Sequence, residues 1–345
     1  MRYLSYLEGE PTLESYRLCH APRPNLAPVF ICPFLVLTNE RGEMFNAMRG
    51  VQGQSKGTVM NMGIYRLDGE LDEQCPLHVP WAEAPVSEPY CVVEDRDAVS
   101  FVGEAFRLDW GVDTYRWEDG GGRLQVEAKR LGQVATFWVP EQEGYDHPQM
   151  LRSHLGKAVG TLDGEHVEGL FMLDYIYSLP GSMWTDMGML TKLHKLWLNW
   201  LVEYEDGTLE GGYAWNGRPG LGFAAAHHFV DGHSTARSDA VMRTERTPRG
   251  GVSHVTLELG DTTVELAQRG ATDWPLHTCG DVTSVSGRDK AIVKSWNYTE
   301  SFPLNWQVVA DYQAAHTALY GRWPSFKRLM QGARVVDDLL VYDEG

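Results

Sequence analysis

The chain has 345 residues, 12 Trp, 15 Tyr and a formal net charge of −17. That acidity excludes a phosphate backbone or an anionic membrane surface as a partner, because both would be repelled. Scattered cysteines without a CxxC pattern exclude a disulfide framework or a zinc site, and Met1–Ala21, with Glu8, Glu10 and Glu14 and no apolar core, excludes a signal peptide; the expected location is the cytoplasm. Residues 1–28 end in a Pro-punctuated stretch and predict a strap or short helix. Val29–Leu37 is apolar and β-rich, Asn39-Glu40-Arg41-Gly42 turns, and Glu43–Arg49 returns beside it. Thr58–Leu67 is the next strand, closed by Asp68-Gly69. Leu71–Pro89, with four prolines, is a long irregular connection. Strands resume at Tyr90–Glu94, Ala98–Asp109, Thr114–Glu118, Leu124–Arg130 and Val134–Val139.

Pro140–Ser153 is polar and breaks the pattern, which places a boundary between domains 1–150 and 151–345. Beyond it, strands are predicted at His166–Leu173, Leu196–Glu205, Gly211–Trp215, Gly222–Val230, Val252–Leu259, Thr262–Gln268 and Ala291–Phe302. Ser178–His194, rich in Gly and Met, reads as a loop over a barrel mouth. Val309, Tyr312, His316 and Leu319 recur at helical spacing, Ser325–Gln331 suits a second short helix, and Arg334–Tyr342 a strand or another helix. Asp-Gly pairs at 68–69, 119–120, 163–164, 206–207 and 231–232 supply the φ > 0 conformations of tight hairpin turns, so the fold class is all-β, built of antiparallel meanders. Leu162-Asp163-Gly164-Glu165 repeats Leu67-Asp68-Gly69-Glu70, a hint of duplication.

Three places carry a resemblance to a known family. They are the Leu35–Gly50 hairpin, the stretch Gly160-Thr161-Leu162-Asp163-Gly164-Glu165, and the strand, Asp-Gly, strand unit of Trp197–Gly212. The arrangement resembles the two-domain lipocalin-like proteins that include carotenoid 1,2-hydratase, kievitone hydratase and tocopherol cyclase relatives. The resemblance implies two lipocalin-like (calycin-like) antiparallel β-barrel domains, here with a short helical C-terminal segment. It also implies a small apolar ligand and acid–base addition or elimination without a redox cofactor. Many of those relatives carry an Arg-Asp-His stretch early in the second domain. This chain has Leu173-Asp174-Tyr175-Ile176-Tyr177-Ser178 there, keeping only the aspartate.

Several side chains suit chemistry. Asp174, Tyr175 and Tyr177 sit where a strand meets the Gly/Met loop, a place where apolar walls raise a carboxyl pKa toward working pH; the alternative is a loop cap with the tyrosines packed beneath it. Strand alternation puts Trp296, Tyr298 and Glu300 on one face, either lining a pocket or covering a loop. His227 and His228 are adjacent on a strand and point to opposite faces, so one of them serves as a proton carrier. A metal reading would join His227 or His228 to His233, across the Asp231-Gly232 turn, and to a third ligand. Leu196–Tyr204, with Trp200, is apolar on both faces, as expected between a lined cavity and a second packed layer.

No GxGxxG or P-loop pattern is present, and no GxSxG stretch reads as a nucleophile elbow, which disfavours nucleotide cofactors and serine hydrolysis. The sequence therefore reads as a cofactor-independent lyase, hydratase or isomerase acting on an apolar aromatic or terpenoid-like molecule. Asp174, Tyr175, Tyr177, His228 and Glu300 are the expected acid–base groups. Trp184, His194, Trp200, Trp215, His227, Trp296 and Tyr298 are the expected substrate contacts. No cofactor and no metal are expected, and the partners foreseen are a hydrophobic small molecule and a second copy of the chain. A non-catalytic carrier of a hydrophobic molecule and a metal enzyme built on His227, His228 and His233 are the rival readings.

Overall fold

The computed structural model describes residues 1–20, 26–52, 58–79, 87–143, 145, 148–180, 194–273, 276–305, 318–319 and 333–342. The first part of the chain holds β1 (Leu4–Leu7), α1 (Leu13–His20), β2 (Ala27–Asn39), β3 (Met44–Gln52), β4 (Thr58–Arg66), β5 (Leu77–Val79) and β6 (Ser87–Pro89). Then come β7 (Cys91–Glu94), β8 (Ala98–Val102), β9 (Arg107–Gly111), β10 (Thr114–Asp119), β11 (Leu124–Val139), β12 (Gln149–Leu162) and β13 (Glu165–Ser178). The second part holds β14 (His194–Tyr204), β15 (Leu209–Gly217), β16 (Ala224–Val230), β17 (His233–Arg237), β18 (Val241–Arg246) and β19 (Val252–Leu259). It ends with β20 (Thr262–Asp273), β21 (His277–Val285), β22 (Ile292–Ser301), β23 (Ala333–Val336) and β24 (Leu339–Tyr342). No helix among the described residues is long and apolar enough to cross a membrane.

The strands form two large antiparallel sheets with the same wiring. In the first the order is β5-β4-β3-β2-β13-β12-β11-β10-β9-β8-β7, with β1 added to β11 and β6 to β4. In the second it is β17-β16-β15-β14-β22-β21-β20-β19-β18. Each is an up-and-down meander whose first and last long strands, β2 with β13 and β14 with β22, pair at its centre. Each sheet curls around its own core. Phe45 and Ile64 from one end of the first sheet share a cluster with Val99 and Phe101 from the other. Trp200, Ala226, Leu257 and Leu266 do the same in the second.

A third core joins the two sheets back to back, with Phe34, Met172 and Phe137 packing against Trp197, Tyr213, Trp215 and Tyr298. The central strands are thus buried on both faces, which is why β2, β13 and β14 read as continuous apolar runs rather than alternating ones. Burying each such side chain contributes about 1.5–3 kcal/mol. Two tight turns fix registers around this seam. Asp163 and Gly164 (φ 52° and 80°) join β12 to β13, and Asp231 and Gly232 (φ 45° and 86°) join β16 to β17, both in the left-handed conformations of a type I′ turn.

The all-β expectation holds, and several finer expectations change. β12 and β13 are central strands of the first sheet, so the break between the sheets falls after Ser178 and not at 140–153. β12 escaped notice because its buried faces carry Arg152, Ser153, His154 and Lys157, which do not look like a strand core. The stretch 98–109 is a hairpin of two strands, while Leu124–Val139 is one strand with a register shift between Leu131 and Ala135. Asp68-Gly69 lies in a longer connection from β4 to β5 and makes no two-residue hairpin. Residues 334–342 fall in the two-stranded β23–β24 hairpin, not a helix. The Gly/Met loop and the two C-terminal helices lie almost wholly outside the described residues.

Candidate functional site

Neighbouring residues on β13 face opposite ways. Phe171, Leu173, Tyr175 and Tyr177 enter the first sheet's own core, whereas Leu170, Met172 and Ile176 enter the layer between the sheets. Asp174 shares the second parity and so faces the inter-sheet layer. It is 3 % exposed, and its register neighbours are Cys32 on β2 and Ser153 on β12. The Ser153 hydroxyl donates to its Oδ1. Across the layer, the second sheet presents Asn199 on β14, Tyr213 on β15, His227 on β16 and Glu300 on β22. Glu300 Oε1 is 3.1 Å from Nε2 of His277 on β21. Trp197 and Tyr298 (ring centroids 5.7 Å apart) and Phe34, 5.1 Å from Tyr298, supply flat apolar walls.

The electrostatics of this layer favour neutral acids. Burial pushes the Asp174 carboxyl well above the ordinary carboxylate range, the Ser153 hydroxyl offsets part of that, and the charge of Glu300 adds to it. Burial likewise pushes up the Cys32 thiol, with Asp174 and Glu300 adding to the effect. The Tyr213 hydroxyl is pushed up by burial and by Asp174, partly offset by nearby Ser153. Ser153 is within its reach, but the two complete no hydrogen bond of ordinary geometry. Burial, with some help from His228, lowers His227 to about 4, so its imidazole is neutral at physiological pH.

The same layer holds an excess of polar atoms with nothing to bond. Both amide atoms of Asn199, Nε1 of Trp197, the Tyr213 hydroxyl and Nε2 of His227 are buried without a hydrogen-bond partner among the described residues. Each such atom costs about 1–3 kcal/mol if left so, and native interiors tolerate few of them. Their concentration on the second sheet's face toward the layer, across from the Asp174 carboxyl, marks this layer as the candidate site.

The predicted residues divide accordingly. Asp174, Glu300, Tyr298, Trp215, Trp296 and His227 do meet in the inter-sheet layer, and Trp296 reaches across it to donate to Thr38 Oγ1 at 3.0 Å. Tyr175 and Tyr177 do not join Asp174, because strand alternation turns them into the first sheet's core. Trp200 faces the second sheet's core, 5.8 Å from the His228 ring. His228 is bonded to Glu210 at 2.7 Å on that same side, away from Asp174. Trp184 and the His194 side chain lie outside the described residues. For the metal reading, the register pairs His233 with Val230 and His228 with Thr235, so His228 and His233 are diagonal neighbours on one face while His227 points to the other, and His228 Nε2 is taken up by Glu210 at 2.7 Å. No three metal-ligating side chains converge among the described residues. Ser153, Asn199, Tyr213 and His277 were not foreseen. Two of them sit on β12 and β21, strands the sequence reading did not find.

No protein-family model and no curated protein matches the sequence. Among solved structures, CghA is similar at 12 % identity and a TM-score of 0.40, covering 86 % of this chain and 97 % of that one. A Nitrosomonas europaea protein provisionally named AttH is similar at 11 % identity and a TM-score of 0.36, covering 78 % of this chain and 91 % of its own. Kievitone hydratase from Nectria haematococca, one of the relatives named from the sequence, is similar at 8 % identity and a TM-score of 0.35, covering 79 % and 89 %.

Proposed function

We propose that the chain is a cofactor-independent enzyme of the lyase, hydratase or isomerase kind, acting by proton transfer on an apolar, ring-bearing small molecule held between the two sheets. The observation that carries this reading is Asp174, a fully buried carboxyl kept protonated with one hydroxyl donor beside a set of unpaired polar groups. In this reading Asp174 gives its proton to an oxygen or an unsaturated carbon of the substrate. The Glu300–His277 pair, 3.1 Å apart, takes one from the other side. Proton delivery at one end of an unsaturated or hydroxylated unit and removal at the other shifts a double bond, or adds or expels water, with no net transfer of electrons. Asn199 and the Tyr213 hydroxyl are placed to hold the oxygen on which charge develops, and Trp197 and Tyr298 to hold the rings.

The test is to incubate the purified protein with an apolar small-molecule extract of its source cells in ¹⁸O-labelled deuterated water and follow the components by mass spectrometry. The expected outcome is at least one component that gains or loses water, or acquires deuterium at constant skeleton. Asp174→Asn should slow that conversion by at least about 100-fold. A component retained but unchanged by both proteins would instead establish a carrier. Equal conversion by both would remove Asp174 from the chemistry.

A further inference from the structure

The layer that holds Asp174 is closed differently along its borders. At one end, the Lys157 ammonium on β12 lies between Glu168 on β13 (3.6 Å) and Glu203 on β14, and Lys294 on β22 reaches the same two carboxylates. Two cations and two anions interleave there across both sheets, on strands that are each paired along both edges. The flank beyond β11 is closed by β1 instead. Among the described residues β1 pairs with β11 alone, through the four residues Leu4–Leu7. Its side chains alternate: Met1, Tyr3 and Leu7 pack against the inter-sheet core, while Leu4 and Tyr6 are 59 % and 43 % exposed. The Tyr3 hydroxyl donates to the Ala224 carbonyl of the second sheet at 2.8 Å, and its ring lies 4.6 Å from that of Phe223. Leu7 pairs with Ala135, Ala135 with Ser153 and Ser153 with Asp174, so the four share one cross-strand row and one face. Three strand spacings, about 14 Å, separate Leu7 from Asp174. The anchor that follows β1 sits on the opposite face, where Arg152 donates to the Glu8 carboxylate from Nε at 2.7 Å and from a terminal nitrogen at 2.6 Å.

We propose that β1 is a strap over this flank, and that its peeling from β11 opens the layer from the side and admits the small molecule to Asp174. The role in admission rests on the reading of the layer as the reaction site; the peeling rests on the contacts of β1 alone. Asp174 is 3 % exposed, so a wall has to move before any molecule reaches it. Detaching β1 breaks one four-residue ladder and leaves the pairing of β11 with β12 intact, whereas opening the charged end would disrupt an ion network spanning four doubly paired strands. The strap is held at two points, the Glu8 clamp on Arg152 and the Tyr3 contacts with Phe223 and Ala224. The clamp lies on the face away from the layer, so loosening it leaves the groups around Asp174 in place.

Peeling can be read without a substrate, by a thiol placed at the buried Ser153 position. The experiment follows N-ethylmaleimide labelling of the native full chain by peptide mass spectrometry, in Ser153→Cys and in Ser153→Cys combined with Tyr3→Phe and Glu8→Gln. Cys279, fully buried on β21 beyond β14 and β22, is the internal control. Labelling at position 153 should become at least about tenfold faster when the two strap substitutions are added, with Cys279 unchanged. Tyr3→Phe keeps the ring and removes one hydroxyl, so if Glu8→Gln does not fold, Tyr3→Phe alone decides by the same criterion. An unchanged rate at position 153, or equal acceleration at position 153 and at Cys279, would overturn the strap. No turnover enters this measurement. Equal conversion by wild type and Asp174→Asn would remove the proposed reaction and leave the strap standing, so the two failures are distinguishable.

Discussion

Two carboxyl groups, Glu210 and Asp174, are both buried between strands, and their pKa values are displaced in opposite directions. Glu210, on β15, accepts from Tyr204 at 2.6 Å, from His228 at 2.7 Å and from two nitrogens of Arg288 at 2.7 Å. Burial pushes its pKa up, but the bonds from His228, Arg288 and Tyr204 outweigh that and hold it at about 2. Asp174 has a hydroxyl donor in Ser153, no cation bonded to it among the described residues and a carboxylate as its electrostatic neighbour, so burial prevails and the group is raised. Burial therefore does not decide ionisation; the donors delivered by the flanking strands do. Glu210 is a closed hydrogen-bonded node, whereas Asp174 keeps a carboxyl raised by burial.

The comparison breaks most sharply on stability. Glu210→Gln leaves Arg288, His228 and Tyr204 around a neutral amide and should cost roughly 3 kcal/mol. Asp174→Asn replaces an already neutral group and should stay within about 1 kcal/mol. Urea denaturation of the two variants at neutral pH measures both, and equal losses would dissolve the distinction. The next effect is in pH dependence. Glu210 is depressed from 4.5 to about 2, so its stabilisation is present above 4.5 and is lost as pH falls toward 2. His227 is depressed from 6.5 to about 4, so its share is present above 6.5 and is lost as pH falls toward 4. Asp174 runs the other way: its share is complete below its ordinary value of 3.8 and is lost as pH rises through its raised pKa. Thermal unfolding across pH 3 to 7 should show His227→Gln removing only the upper acid step, worth roughly 3 kcal/mol. The smallest effect is the most diagnostic. Ser153→Ala removes the hydroxyl that lowers Asp174, so the alkaline limb of activity should move to higher pH with a stability change of about 1 kcal/mol. An unmoved limb would mean that Asp174 does not set it.

The two sheets also show what a repeated motif is worth. Leu67-Asp68-Gly69-Glu70 and Leu162-Asp163-Gly164-Glu165 are identical in letters but occupy different structures: an open connection after β4 and a type I′ turn between β12 and β13. The equivalence between the halves lies in the shared wiring, with first and last long strands paired at the centre of each sheet. Strand order depends on which edges close on each other, so a turn tetrapeptide does not encode it.

Local chemistry settled much by sequence alone. Asp-Gly pairs gave the tight turns at 163–164 and 231–232, and apolar β-branched runs gave the long strands. Alternation correctly placed Trp296 and Tyr298 on one face and set His227 against His228. These are properties of consecutive residues, which backbone geometry maps directly onto space. The sequence could not tell which of two buried faces a residue serves, because β13 and β14 are apolar on both. Only the pairing of β12 with β13 gave Asp174 its Ser153 neighbour, and only the back-to-back packing of the sheets brought Tyr213 and Glu300 toward it. Those partners come from three strands, β12, β15 and β22, and their convergence is fixed by strand pairing and inter-sheet contact, which no local pattern records.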